Sequence, residues 1–359
     1  MPEDARHTQL DGLRGYAAIA VVIFHTILGC DPTLNQRILR PTIQEASGLY
    51  DLVTKCVFML VSGETAVVLF FVLSGVVLFE SLRRRRAGTA ATAVGFSLRR
   101  FFRLYPTFFA CLAAAFATFA ATGVWSAMAG HFWPNAALHD FSVLGVSWTL
   151  QVEFLAIPFI LTGFWCHRRF GAMGIVCVFA VFAALLCEPW LRTHFVTYKR
   201  FLPCFALGLL IPTRVGAAVV RVLPAWAWPA ILAALLAARH VLALHWWTMN
   251  LAQILAAVFV ALLYYRRAGA LGRFCDRGVS QYLGRVSYSL YLCNVVYLIL
   301  VAHWTRGMGA VREHPLEWGL ALAVPIVGAS IATAHVVEIV LERPSVAWGR
   351  RLTQFLQPA

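Results

Sequence analysis

Ten apolar runs, most long enough to cross a bilayer, dominate the 359-residue chain. They fall near residues 10–30, 61–82, 104–126, 146–166, 171–187, 201–212, 225–239, 246–265, 283–302 and 318–341. A hydrocarbon layer about 30 Å thick needs about 20 apolar residues of helix. The runs are continuous and lack two-residue alternation, so they read as helices and not as strands of a β-barrel. The sixth is short, and the seventh lies between Pro224 and Arg239. Charged residues make up 13% of the chain and hydrophobic ones 60%. That is about half the charge a soluble domain carries. The expectation is an all-α polytopic membrane helix bundle of about ten transmembrane helices, a single domain over residues 1–359. No connection is long enough for an additional soluble domain. The start, Met-Pro-Glu-Asp-Ala-Arg, lacks the basic opening of a leader, so the first span is expected to stay in the mature chain.

The formal net charge is +14. Such a charge can signal nucleic acid, but here the arginines cluster at the ends of apolar runs. That is the positive-inside pattern, and no nucleic-acid partner is expected. With both termini cytoplasmic, 21 of the 30 Lys and Arg residues fall on inner segments and 9 on outer ones. The run Arg83, Arg84, Arg85, Arg86 reads as a topology signal and a contact for anionic lipid. The nine cysteines contain no C-x-x-C pair, and no two histidines stand at i, i+4. Neither a metal site nor a disulfide framework is expected; Cys30 and Cys56 flank one outer loop and are the one pair considered.

Any chemistry must therefore sit on the spans or at their mouths. Ionisable groups at lipid depth are costly and point to function. The first run holds the densest set: Asp11, Arg14 and His25, with Gly12 and Gly15 between them. Arg14 and His25 are eleven residues apart, which on a helix returns to the same face after a rise of about 16 Å. A cation at the inner mouth and a deep imidazole suit a long ligand with a phosphate end, such as a pantetheine carrier. Asp11 lies one turn below Arg14 on nearly the same face. The two glycines permit close approach of a backbone or a ligand. The fourth run opens Ser147-Trp148-Thr149-Leu150-Gln151-Val152-Glu153, with Glu153 about two turns from the outer end. A carboxylate there can fix the His25 tautomer and stabilise its cation; equally, it can pair with an arginine as structural glue. Asn294 and Tyr297 can reach the same level, and Glu64 reads as an outer-mouth residue. Arg100 and Arg103 share a helical face just before Tyr105-Pro106, at the expected start of span three. They read as a phosphate clamp or as one side of an interfacial amphipathic helix.

Six stretches together resemble the acyltransferase type 3 family of membrane O-acyltransferases. They are Leu10-Asp11-Gly12-Leu13-Arg14-Gly15 through His25, Phe70-Phe71-Val72-Leu73-Ser74-Gly75, Arg99-Arg100-Phe101-Phe102-Arg103-Leu104-Tyr105-Pro106, Ser147 to Glu153, Leu283 to Leu292, and Glu342-Arg343-Pro344. They run in family order from residue 10 to 344. Asn294 stands where many members carry His. The resemblance implies an acyl-CoA donor, acetyl-CoA in the first instance, used as substrate with no bound cofactor or metal. It implies a hydroxyl acceptor on a surface or secreted glycan, or on a small metabolite such as a macrolide sugar. It implies a multi-pass protein of the bacterial cytoplasmic membrane. His25 then becomes the essential base or acyl carrier, with Glu153 and Asp11 in catalytic support. Arg14, Arg100, Arg103, Tyr105, Ser74, Trp148 and Asn294 become substrate contacts, Ser74 and Trp148 as candidate oxyanion donors. A transporter or a non-catalytic sensor is the reading from another class. The sequence gives no oligomeric state.

Overall fold

The structure, a computed structural model, describes residues 7–84, 89–123, 128–242 and 245–354. Arg85 and Arg86 lie outside the described residues. Among the described residues the chain is helical with no strand. Thirteen helices matter here: α1 Thr8–Cys30, α2 Leu49–Leu60, α3 Gly63–Arg83, α4 Thr89–Ala121, α5 Trp148–Phe170, α6 Ala172–Leu185, α7 Val196–Leu210, α8 Arg214–Val222, α9 Trp228–Val241, α10 Trp246–Tyr264, α11 Gly278–Trp304, α12 Pro315–Val337 and α13 Arg343–Gln354. Each of the ten apolar runs coincides with one of α1, α3 to α7 and α9 to α12. Among the described residues, seven stretches are long and apolar enough to span a membrane, or eight if the bent pair α7–α8 is one crossing. The shorter apolar helices α6 and α9 have 14 residues each.

Local sequence explains the boundaries. Pro212 has no N–H to continue α7, and the Thr213 side chain accepts from Val215 N to cap α8, so the chain bends by 85° there. Pro229 sits in the first turn of α9, where its missing donor costs nothing. Gly171 (φ 62°) makes the turn between α5 and α6. One boundary differs from expectation. The third run was read from residue 104, but α4 begins at Thr89. Arg99, Arg100 and Arg103 lower the local hydropathy without stopping a helix. Tyr105 is therefore the middle of a 33-residue helix and not its start.

The chain folds as two compact units. The first comprises Met1–Ala17, Glu64–Ala93 and Val152–Gly284; the second Ala18–Gly63, Val94–Gln151 and Arg285–Ala359. In the first unit, small residues let backbones meet. A Cβ on Gly12 would lie 2.4 Å from the Cys275 carbonyl oxygen, and one on Gly284 would lie 2.1 Å from that of Asp11. Gly12 and Gly15 thus serve helix packing. Gly75 of α3 and Gly208 of α7 cross in the same way. Tyr264 donates to Glu80 at 2.7 Å, and Tyr265 donates to the Ile211 carbonyl at 2.9 Å. These bonds join the C-terminal ends of α3, α7 and α10.

In the second unit, Ile27, Leu34, Ile38, Leu39, Phe58 and Leu316 form an apolar cluster. Lys55, 1% exposed, donates to the carbonyls of Ile38 (2.6 Å) and Pro41. Its ammonium occupies carbonyls that would otherwise be buried without donors. The stretch from Met128 to Ser147 departs from a surface loop. Phe132 packs edge-on against Phe116 and Phe109 at 5.0 and 5.6 Å. The Tyr105 hydroxyl donates to the Ala136 carbonyl, halfway along α4. Tyr291, at the midpoint of α11, donates to the Val146 carbonyl at 3.1 Å. The first turn of α5 therefore starts about 20 Å from either end of α11. The start of α5 thus packs against the middle of α11. Buried non-helical backbone needs protein partners for its polar groups. Asn135, fully buried, does much of this. Its Nδ2 donates to the His131 carbonyl and to Asp140, and its Oδ1 accepts from Val143 N.

Candidate active site

α1 is one unbroken helix from Thr8 to Cys30. Arg14 and His25 accordingly lie on one face of one rigid element, about 16 Å apart along its axis. Asp11, an acid in the first turn where the helix dipole favours it, pairs with Arg14 at 3.4 Å. Both side chains are mostly buried, at 18% and 15% exposed.

His25 is half-buried. Its neighbours hold the helix on both sides. Phe24 packs edge-on to Phe58, and Ile27 meets Gly319 so closely that a Cβ there would sit 2.6 Å from the Ile27 Cα. The imidazole touches the Phe24 ring edge at 5.2 Å between centroids. Among the described residues it makes no hydrogen bond or ion pair. A ring fixed by its neighbours, with both nitrogens unengaged, is suited to accept a proton from a substrate.

Ser74 on α3 donates to Glu153 Oε1 on α5 at 2.8 Å. Both residues belong to the first unit. Ser74 is 9% exposed and Glu153 half-buried. The hydroxyl expected to serve an oxyanion thus holds a carboxylate. Spacing alone did not show this pairing.

The remaining candidates lie in the second unit. Arg100 is 8% exposed. Arg103 is half-buried and among the described residues has no ion pair or hydrogen bond, which leaves its guanidinium available to an anion. Tyr105 stacks on Phe101 at 4.7 Å. Trp148 opens α5 beside fully buried Ser147, whose hydroxyl donates to the Leu144 carbonyl at 2.7 Å. Asn294 is fully buried. Its Nδ2 donates to the carbonyls of Tyr291 (2.6 Å) and Leu290 (3.2 Å) of its own helix, and its Oδ1 has no donor among the described residues. Tyr297 pairs with Thr333. Glu64 is bound by two arginines in the first unit. All nine cysteines are free; Cys111 and Cys293 meet at 3.4 Å between α4 and α11, while Cys30 is buried and Cys56 exposed.

Sequence reasoning missed a self-contained polar knot between His131 and Ser142. His131 Nδ1 lies 2.6 Å from Asp140 Oδ2, and Ser142 donates to the same carboxylate at 2.7 Å. Partial burial raises the Asp140 pKa, but the hydrogen bonds from Ser142 and His131 outweigh it and hold the carboxyl at about 2. Ser142 and Asp140 both engage the same ring nitrogen, so this is not a nucleophile relay. The signal was present in the sequence as four polar residues, His131, Asn135, Asp140 and Ser142, within twelve positions.

Apolar helices long enough to cross a membrane define an integral, multi-pass membrane protein. The family described as an acyltransferase domain, acyltransferase type 3, matches residues 7–335, nearly the whole chain, and the chain belongs to it. It is a membrane acyltransferase. No curated protein and no solved structure matches the chain.

Proposed function

We propose that the protein moves an acyl group, acetyl in the first instance, from acyl-CoA to a hydroxyl of a surface or secreted glycan. The observation that carries this reading is α1: one unbroken helix with Arg14 and an unengaged His25 on the same face. Arg14, Arg100 and Arg103 hold the phosphates of the CoA, Arg103 being the half-buried cation without a partner. Tyr105, Trp148 and Asn294 border the bound substrate. The acceptor hydroxyl attacks the thioester carbon while His25 takes its proton. The tetrahedral intermediate collapses, the C–S bond breaks, and the thiolate leaves with the proton that His25 carried. Glu153, held by Ser74, is the carboxylate whose negative charge favours the imidazolium in this reading, and Asp11 fixes Arg14. General-base help of this kind is worth roughly 10²–10⁴ in rate. In this reading ten crossings place both termini in the cytoplasm of a bacterium, with the protein in its inner membrane and the donor arriving from the cytoplasm.

The test uses purified protein with labelled acetyl-CoA. Incubation without acceptor, followed by peptide mass analysis, distinguishes two routes: a labelled His25 peptide means an acyl-enzyme, and an unlabelled one means direct transfer. Comparison of cell glycans and small metabolites with and without the intact gene then identifies the acceptor by its lost acyl mass. CoA release that does not depend on the protein would end the proposal.

A further inference from the structure

We propose that Arg200 and Arg239, joined through Glu64, form a receiving site for one anionic group, a carboxylate or a phosphate. Glu64 stands in the first turn of α3. Its Oε1 accepts from Arg200 on α7 at 2.6 Å and its Oε2 pairs with Arg239 on α9 at 2.5 Å. Both carboxylate oxygens are used, and two guanidinium groups on one carboxylate leave a net charge of +1. Among the described residues no second acid of this unit pairs with it. The other described carboxylates, Asp11, Glu80, Glu153, Glu188 and Asp276, are engaged elsewhere. An ion-pair staple between helix ends needs one arginine per glutamate; the second overcompensates.

Burial sharpens the imbalance. Glu64 and Arg239 are each 20% exposed, whereas Arg200 is 51% exposed, so the cluster is enclosed on one side and open on the other. Arg239 Nε is buried and lacks a partner among the described residues. Fully buried Gln253 donates through Nε2 to the Arg200 carbonyl at 2.9 Å, tying α10 to this end of α7. Buried polar groups are seldom left unmet. An incoming anion would supply both the missing charge and an acceptor for the Arg239 N–H. Two sources share this chemistry: the acid group of an acidic sugar, and the phosphate of a phospholipid headgroup.

The experiment places the protein in phosphatidylcholine nanodiscs and titrates methyl glucuronide against methyl glucoside by calorimetry. A second arm adds phosphatidylglycerol and counts retained lipid by native mass spectrometry. The glucuronide, or the anionic lipid, is expected to bind while the neutral analogue does not. Arg239→Gln and Arg200→Gln should each weaken binding at least about tenfold, the worth of one charge-assisted hydrogen bond. Glu64→Gln should tighten it by removing the competing charge; a staple predicts no such gain. If a glutamine variant does not fold, Arg239→Lys keeps the charge without the fork and should bind with intermediate affinity. Equal binding of both sugars with no anionic lipid retained, or unchanged binding in folded Arg239 and Arg200 variants, overturns the proposal. Neither arm uses acyl-CoA, so failure here leaves the acyl-transfer reading standing, and the reverse holds.

Discussion

Substitution of Gly284 by Ala tests how the first unit holds α1. An added Cβ would lie 2.1 Å from the Asp11 carbonyl oxygen and 2.5 Å from its carbon, where ordinary contact begins at 3.4 Å. The obstacle is backbone, so no rotamer change relieves it. The start of α11 must back away from α1 by about 1 Å, and overpacking of this kind costs about 1–3 kcal/mol. Gly278→Ala on the same helix meets nothing within 4 Å. It gains at most the helix preference of Ala over Gly, about 1 kcal/mol. Asp11 and Arg14 sit at the crossing, so Gly284→Ala should lower the thermal midpoint and also CoA release, while Gly278→Ala should lower neither. Thermal unfolding of the two purified variants, followed by tryptophan emission, is the assay. A Gly284→Ala midpoint equal to wild type would refute the close crossing and the argument that the glycines serve packing.

Ser74→Ala removes a hydrogen bond to a carboxylate, about 1.5–3 kcal/mol for such bonds and less here because Glu153 is half-buried; turnover should fall about tenfold with KM for acyl-CoA nearly unchanged, and Ser74→Thr should restore most of it. An oxyanion role would instead leave the cost of Ser74→Ala unchanged in a Glu153→Gln background. The knot at Asp140 gives a pH prediction. Its folded pKa lies below the ordinary value of 3.8, so the stability it adds is present above about pH 4 and is lost as pH falls toward about 2. Thermal midpoints of wild type and Asp140→Asn should therefore differ by a constant amount from pH 5 to 7 and converge only below about pH 4.

The helices were legible because hydropathy and the need to satisfy backbone groups in lipid leave few alternatives. The unbroken α1, which puts Arg14 and His25 on one face, followed from spacing alone. Boundaries set by charge were less visible. Arg99, Arg100 and Arg103 interrupt the apolar run but not the helix, so Tyr105 moved from a helix start to a helix middle. The knot between His131 and Ser142 was hidden for another reason. His131, Asn135 and Asp140 look like a wet loop in sequence, and their mutual hydrogen bonds become apparent only once they are brought together. The same holds for Ser74 and Glu153, which are 79 positions apart, and for Gly12, whose small size forecast a close neighbour without naming Cys275.

The claim on which the rest depends is that the imidazole of His25 carries the proton, or the acyl group, in transfer. Turnover of purified His25→Ala, read as CoA thiol release with acceptor present and checked for an unchanged thermal midpoint, tests it most directly. A loss of about a hundredfold or more is expected. Turnover near that of wild type would contradict it.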